Sequence, residues 1–127
     1  AIRYASASPD QEKLQAEVTE ILEKECAAAK AADVQTWNRY SDEFHLVFYR
    51  YCNNSRLAES AERLRSGISI FSNQYCRETV IQTRIDEEHL AIFQAYKDGD
   101  IEKAVQMMKT HLNDSLNYAL RFLPKTF

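Results

Sequence analysis

The sequence predicts an all-α fold, an antiparallel bundle of about six helices with a truncated first helix. Three observations carry that expectation. The 127 residues include only two glycines and two prolines, too few turn formers for a sheet of tight hairpins. Apolar residues recur every three or four positions along most of the chain. Short clusters of helix-starting and helix-stopping residues separate the periodic stretches. A chain of this length supports one domain around a single core.

Ala1-Ile2-Arg3-Tyr4-Ala5 reads as the end of a helix, and a chain that opens on Ala rather than Met fits a fragment of a longer protein. Ser8-Pro9-Asp10-Gln11 combines a hydroxyl cap, proline at the first helical position and a glutamine that closes a capping box. The helix it starts carries Leu14, Val18, Ile21, Leu22 and Cys26 on one face and fades through Ala27 to Ala32. Asp33 caps the next helix, whose inner stripe is Trp37, Ser41, Phe44, Phe48 and Cys52. Asn53-Asn54 ends it, because asparagine tolerates the left-handed conformation of a helix stop.

A third long helix from Ser55 places Leu57, Ala61, Leu64, Ile68, Phe71 and Tyr75 on one face. Gly67 costs it about 1 kcal/mol relative to alanine without breaking it. A short connection is expected from Cys76 to Glu78. The next helix runs through Ile81, Ile85, His89, Phe93 and Tyr96 to a Lys97-Asp98-Gly99 stop. Asp100 caps the last, with Ile101, Ala104, Met108, His111, Ser115, Ala119 and Phe122 on its stripe, and Pro124 blocks its extension.

Composition narrows the function. A formal charge of −3 argues against a nucleic-acid surface on this chain, which needs a clustered excess of Lys and Arg. No apolar run approaches the roughly 20 residues that span a bilayer, so no membrane partner is expected. Cys26, Cys52 and Cys76 are odd in number and widely spaced, which suits a reducing cytoplasm better than a disulfide framework.

The chemistry lies in the three histidines. His45, His89 and His111 fall on three different helices, each on the apolar stripe or at its edge. One inward histidine is ordinarily a hydrogen-bonded core residue. Three in a small core cost several kcal/mol, of order ~2–7 for each unpartnered polar group, and one divalent cation satisfies three imidazole nitrogens at once. Asp42 and Asp86 each stand three residues before a histidine, where a carboxylate can ligate or orient the ring. Ser41 occupies the other neighbouring slot as a weaker ligand. Asp86 is expected to be a solvated charge on the helix face.

Four segments in order resemble the FCD domains, the C-terminal effector domains of FadR-type GntR regulators. Phe44-His45 followed by Cys52-Asn53-Asn54-Ser55-Arg56-Leu57 is similar to that family's Phe-His and Gly-Asn-Pro-x-Leu segment. Glu88-His89-Leu90-Ala91-Ile92-Phe93-Gln94-Ala95 resembles its Glu-His helix. Asp98-Gly99-Asp100, Ala104, Met108 and His111-Leu112 resemble its ending. The resemblance spans Asp10 to Leu120.

It implies a divalent metal, zinc or nickel foremost, held by His45, His89, His111 and an Asp or Asn four residues before the first histidine. That position here is Ser41, a departure that leaves Asp42, water or an effector carboxylate to complete the shell. It further implies a small organic-acid effector, a homodimer, and operator DNA read by a winged helix-turn-helix domain absent from this chain. Arg65, where the family tends to carry an arginine, is the candidate carboxylate partner. Gln82, two turns before His89, Ser115, one turn past His111, and the Tyr75 hydroxyl are candidates to line the cavity.

Catalysis is not expected. The rival reading is a metalloenzyme. Asp42-x-x-His45 and Asp86-x-x-His89 imitate a ferritin-like di-iron pair, with Glu17 and Glu25 bordering the first long helix's stripe, but His111 then has no role. A zinc ion on three histidines can also activate water. A third reading is a helical dimerisation module without ligand.

Overall fold

The structure, a computed structural model, describes residues 1–75 and 78–121, and within them every side chain except those of residues 66–75 and 119. Among the described residues the chain forms helices and no strand. In order they are α1 (Ile2–Ser6), α2 (Gln11–Lys30), α3 (Val34–Arg50), α4 (Ser55–Tyr75), α5 (Thr79–Lys97) and α6 (Ile101–Leu120). None of the described helices is long and apolar enough to cross a membrane.

Capping chemistry sets most of the boundaries. The Asp33 carboxylate accepts the Thr36 amide at 3.2 Å, and Asn54 and Asp100 accept from Leu57 and Lys103 in the same way at 3.1 and 3.3 Å. Asn53 takes the left-handed conformation expected of it, with φ 57°, and Gly99 does the same at 79°. The start of α2 differs from expectation. The helix begins at Gln11, and Gln11 closes no capping box. Its amide donates to the carbonyls of Ala5 and Ser8 at 2.7 and 2.9 Å, while Oε1 accepts the Tyr96 hydroxyl at 2.7 Å. Tertiary hydrogen bonds to the α1–α2 turn and to α5 have displaced the local motif.

Short connections make antiparallel neighbours of α2 and α3, α3 and α4, and α5 and α6, and α2 closes the bundle against α5. The main core joins Leu14, Val18, Leu22, Phe44, Val47, Phe48, Ile92, Phe93, Tyr96 and Ala104, all buried. A smaller apolar cluster gathers Ala28, Ala29, Trp37 and Ile85 at the other side. The short α1 packs on α3 and α6, burying Ile2 and Ala5, and Arg3 grips Glu102 through two bonds of 2.8 and 2.9 Å.

The expected stripe of α3 is buried as read, as is that of α5 apart from the partly buried Ile81, and so are Ala104 and His111 of α6. Two stripes need correction. On α2, Glu25 is fully buried and Cys26 only half-buried. On α4, Leu64 is 68% exposed while Arg65 is half-buried, because α4 packs mainly on α3 and its other flank borders a groove. Ile68, Phe71, Tyr75, Ala119 and Phe122 were placed on stripes whose side chains lie outside the described residues, as do Cys76 and Pro124.

Candidate metal centre

Helices α3, α5 and α6 each bring one histidine to the same buried point. His45, His89 and His111 are 7%, 0% and 4% exposed, although they lie 44 and 22 residues apart in sequence. The Nε2 atoms of His89 and His111 are 3.0 Å apart, and those of His111 and His45 3.4 Å. One ligand atom from each ring lies within 4.8 Å of the other two. Nitrogens bound at about 2.0–2.1 Å to one ion stand about 2.8–3.4 Å apart, from octahedral to tetrahedral geometry.

The far sides of two rings explain why the near sides are free to ligate. Both Glu25 oxygens approach His89 Nδ1, at 3.1 and 2.9 Å, and Glu88 Oε2 meets His111 Nδ1. A carboxylate accepts only, so each Nδ1 carries the proton and each Nε2 presents its lone pair. Two lone pairs 3.0 Å apart repel unless a cation or a proton lies between them. The donor set therefore fits a divalent ion. Phe44 stacks on His89 at 4.1 Å and 24°, which holds the plane of the ring.

Burial governs the charge states. It drives His45 well below the ordinary imidazole range and His89 down to about 3, with Arg65 adding to both effects. His111 is lowered by burial and by His89, against the pull of Glu88. Neutral imidazole is the ligating form. Burial also pushes Glu25 and Asp86 up to about 7 each, and the two are hydrogen-bonded to one another. The short Glu25–His89 contact is accordingly a hydrogen bond from a neutral ring rather than an ion pair.

The family model of the FCD domain matches residues 1–114. The chain belongs to the FCD family. No curated protein and no solved structure gives a significant match. FCD domains are regulatory, ligand-sensing domains of GntR-type regulators, and the three-histidine cluster of this FCD domain is compatible with a metal ion.

The remaining candidate residues of the FCD domain take varied places. Ser41 is buried beside Glu25, whose charged form it favours. Asp42 pairs with Arg65 at 3.2 Å. Asp42 is not part of the described ligand cluster, which holds the three histidines. Asp86, expected in solvent, is instead buried and accepts the Trp37 indole N–H at 2.9 Å. The ring nitrogen of a buried tryptophan needs an acceptor, and Asp86 lies within its reach across the α3–α5 contact. Glu17 is half-buried and stands near Tyr51, whose hydroxyl it helps to hold in its neutral form, and it is not part of the histidine cluster.

Beside His45 opens a cavity of about 590 Å³, walled by Phe48, Leu64, Arg65, Met108 and Lys109 among others. Arg65 spends one nitrogen on Asp42, while its Nε is buried and meets no acceptor among the described residues. Gln82 is buried and Ser115 half-buried, and neither lines this cavity. The Tyr75 side chain lies outside the described residues. Glu25 is the residue that sequence reasoning placed only at the margin. The signal was there, since Leu14, Val18, Ile21 or Leu22, residue 25 and Ala28 or Ala29 continue one helical stripe.

Proposed function

We propose that this FCD domain is the sensing part of a GntR-type transcription regulator, in which His45, His89 and His111 hold one divalent cation, zinc or nickel. A small organic acid is its effector. Operator DNA is read by a winged helix-turn-helix domain elsewhere in the full regulator, which works as a cytoplasmic homodimer. The observation that carries the reading is the meeting of three imidazole Nε2 atoms, 3.0 and 3.4 Å apart, in a core that keeps them neutral.

When bound, the cation supplies an electrophilic position open to a ligand oxygen. The chain's own residues do the rest. Glu25 and Glu88 orient two of the rings, and Phe44 fixes one ring plane. Asp42 does not compete for the open side, since it is paired with Arg65. Arg65 lines the same cavity as His45, and its cationic side chain there favours an anionic ligand. Binding changes the regulator only so far as the ligand prefers one packing of the helices over another.

Metal analysis tests the centre. Purified protein is expected to carry one ion per chain, and His111→Ala less than about a tenth of that, on the scale of a lost first-row ligand. Equal metal in both, or none in either, overturns the assignment.

A further inference from the structure

Glu25 is a carboxylate in a place where packing alone favours an apolar side chain. It is wholly enclosed, and removing an acid from water is expensive unless it is fully partnered. Its partners form a line across three helices. The Trp37 indole on α3 donates to Asp86 on α5, Asp86 bonds Glu25 on α2, and Glu25 takes His89 Nδ1 with both oxygens. Ser41 on α3 stands beside Glu25 and favours its charged form. The line ends at a ring whose other nitrogen faces the candidate ion position.

A charge argument gives this line a purpose. Three neutral imidazoles bring no charge, so a dication among them would stand in the core uncompensated. The nearest acid on α3, Asp42, is held by Arg65. We infer that Glu25 is a positioning residue of the metal centre: from behind His89 it fixes the Nδ1-protonated form and the ring orientation, and with Asp86 beside it and Glu88 behind His111 it supplies the negative charge that no directly coordinating carboxylate provides. The inference rests on the metal reading above and adds where the centre's acid comes from. Ser41 is then a support for that acid rather than a ligand.

Two substitutions separate the charge from the hydrogen bond. Glu25→Gln keeps the shape and an acceptor for Nδ1–H but removes the charge, whereas Glu25→Ala removes both. The readouts are Co²⁺ and Zn²⁺ affinity, by competition with a chromophoric chelator, and the His89 tautomer by ¹⁵N NMR of the metal-free chain. Glu25→Gln is expected to weaken affinity about 10–100-fold with the tautomer kept. Glu25→Ala should weaken it further and lose the Nδ1–H form. If alanine prevents folding, the glutamine variant decides. A role in packing alone would lower the melting temperature and leave affinity unchanged, so wild-type affinity in the folded variants overturns the inference while the metal centre stands. A wild-type chain that binds neither ion overturns both.

Discussion

Neutral imidazoles are what a metal needs, and burial supplies them before any ion arrives. An ordinary histidine near 6.5 is mostly protonated at pH 5.5, so three of them together lose about a thousandfold in metal affinity on acidification from pH 7.5. Here the sign is set by enclosure. The folded chain holds His89 at about 3 and lowers His45 and His111 as well, so the ligating form persists below the usual range. The rings themselves therefore add little to the loss of Co²⁺ affinity between pH 7.5 and 5.5, which is expected to be about 10–100-fold and to come from protonation of Glu25 and Asp86, measured by chelator competition. A thousandfold loss would mean that the rings titrate as free imidazoles. The same depression makes neutral His89 a contributor to stability above about 6.5 that is lost as pH falls toward 3.

Among the helices, the ends are more informative than the middles. Asp33 and Asp100 cap α3 and α6 as side-chain acceptors, as read from residue type, and Asn54, read only as a helix stop, caps α4 in the same way. Ala32 is the exception: it ends the α2 region at φ 55°, a left-handed conformation that an L side chain resists. Ala32→Gly should stabilise the domain by about 0.5–1 kcal/mol in denaturant unfolding. Gly99→Ala should destabilise it by a similar amount, through the backbone alone, since an added Cβ there meets nothing within 4 Å. A loss of stability in Ala32→Gly would show that the alanine methyl packs more than it strains. The register of α4 was less legible. Leu64 and Arg65 are adjacent, and hydropathy puts the leucine inside, but the groove beside α3 admits the arginine and leaves the leucine at its lip.

Across the bundle, the cavity touches three things at once. It borders His45 of the candidate centre, Arg65 of α4, and Ile2 and Tyr4 of α1. An anion seated there would bridge the site to α1, which itself is tied to α6 by Arg3 and Glu102. A panel of mono-, di- and tricarboxylates of up to roughly six carbons, sized to the cavity, is expected to raise the melting temperature of the metal-loaded domain. Arg65→Ala should weaken the responding acid at least about tenfold by calorimetry, the order of a lost charge-assisted hydrogen bond. An undiminished response in that variant would remove Arg65 from the ligand.

Residue order alone was enough for the helical class, five long helices, most of their caps and the inward placement of the three histidines. All of these follow from contacts within a turn or two of chain, which periodicity records. The choice between neighbours on a helix did not follow. Glu25 lies inside and Cys26 at the edge because His89, 64 residues away, offers the acid a hydrogen bond. Asp86 leaves solvent for the indole of Trp37, 49 residues distant. A carboxylate enters a core only where partners wait for it, and those partners exist only once the helices have packed.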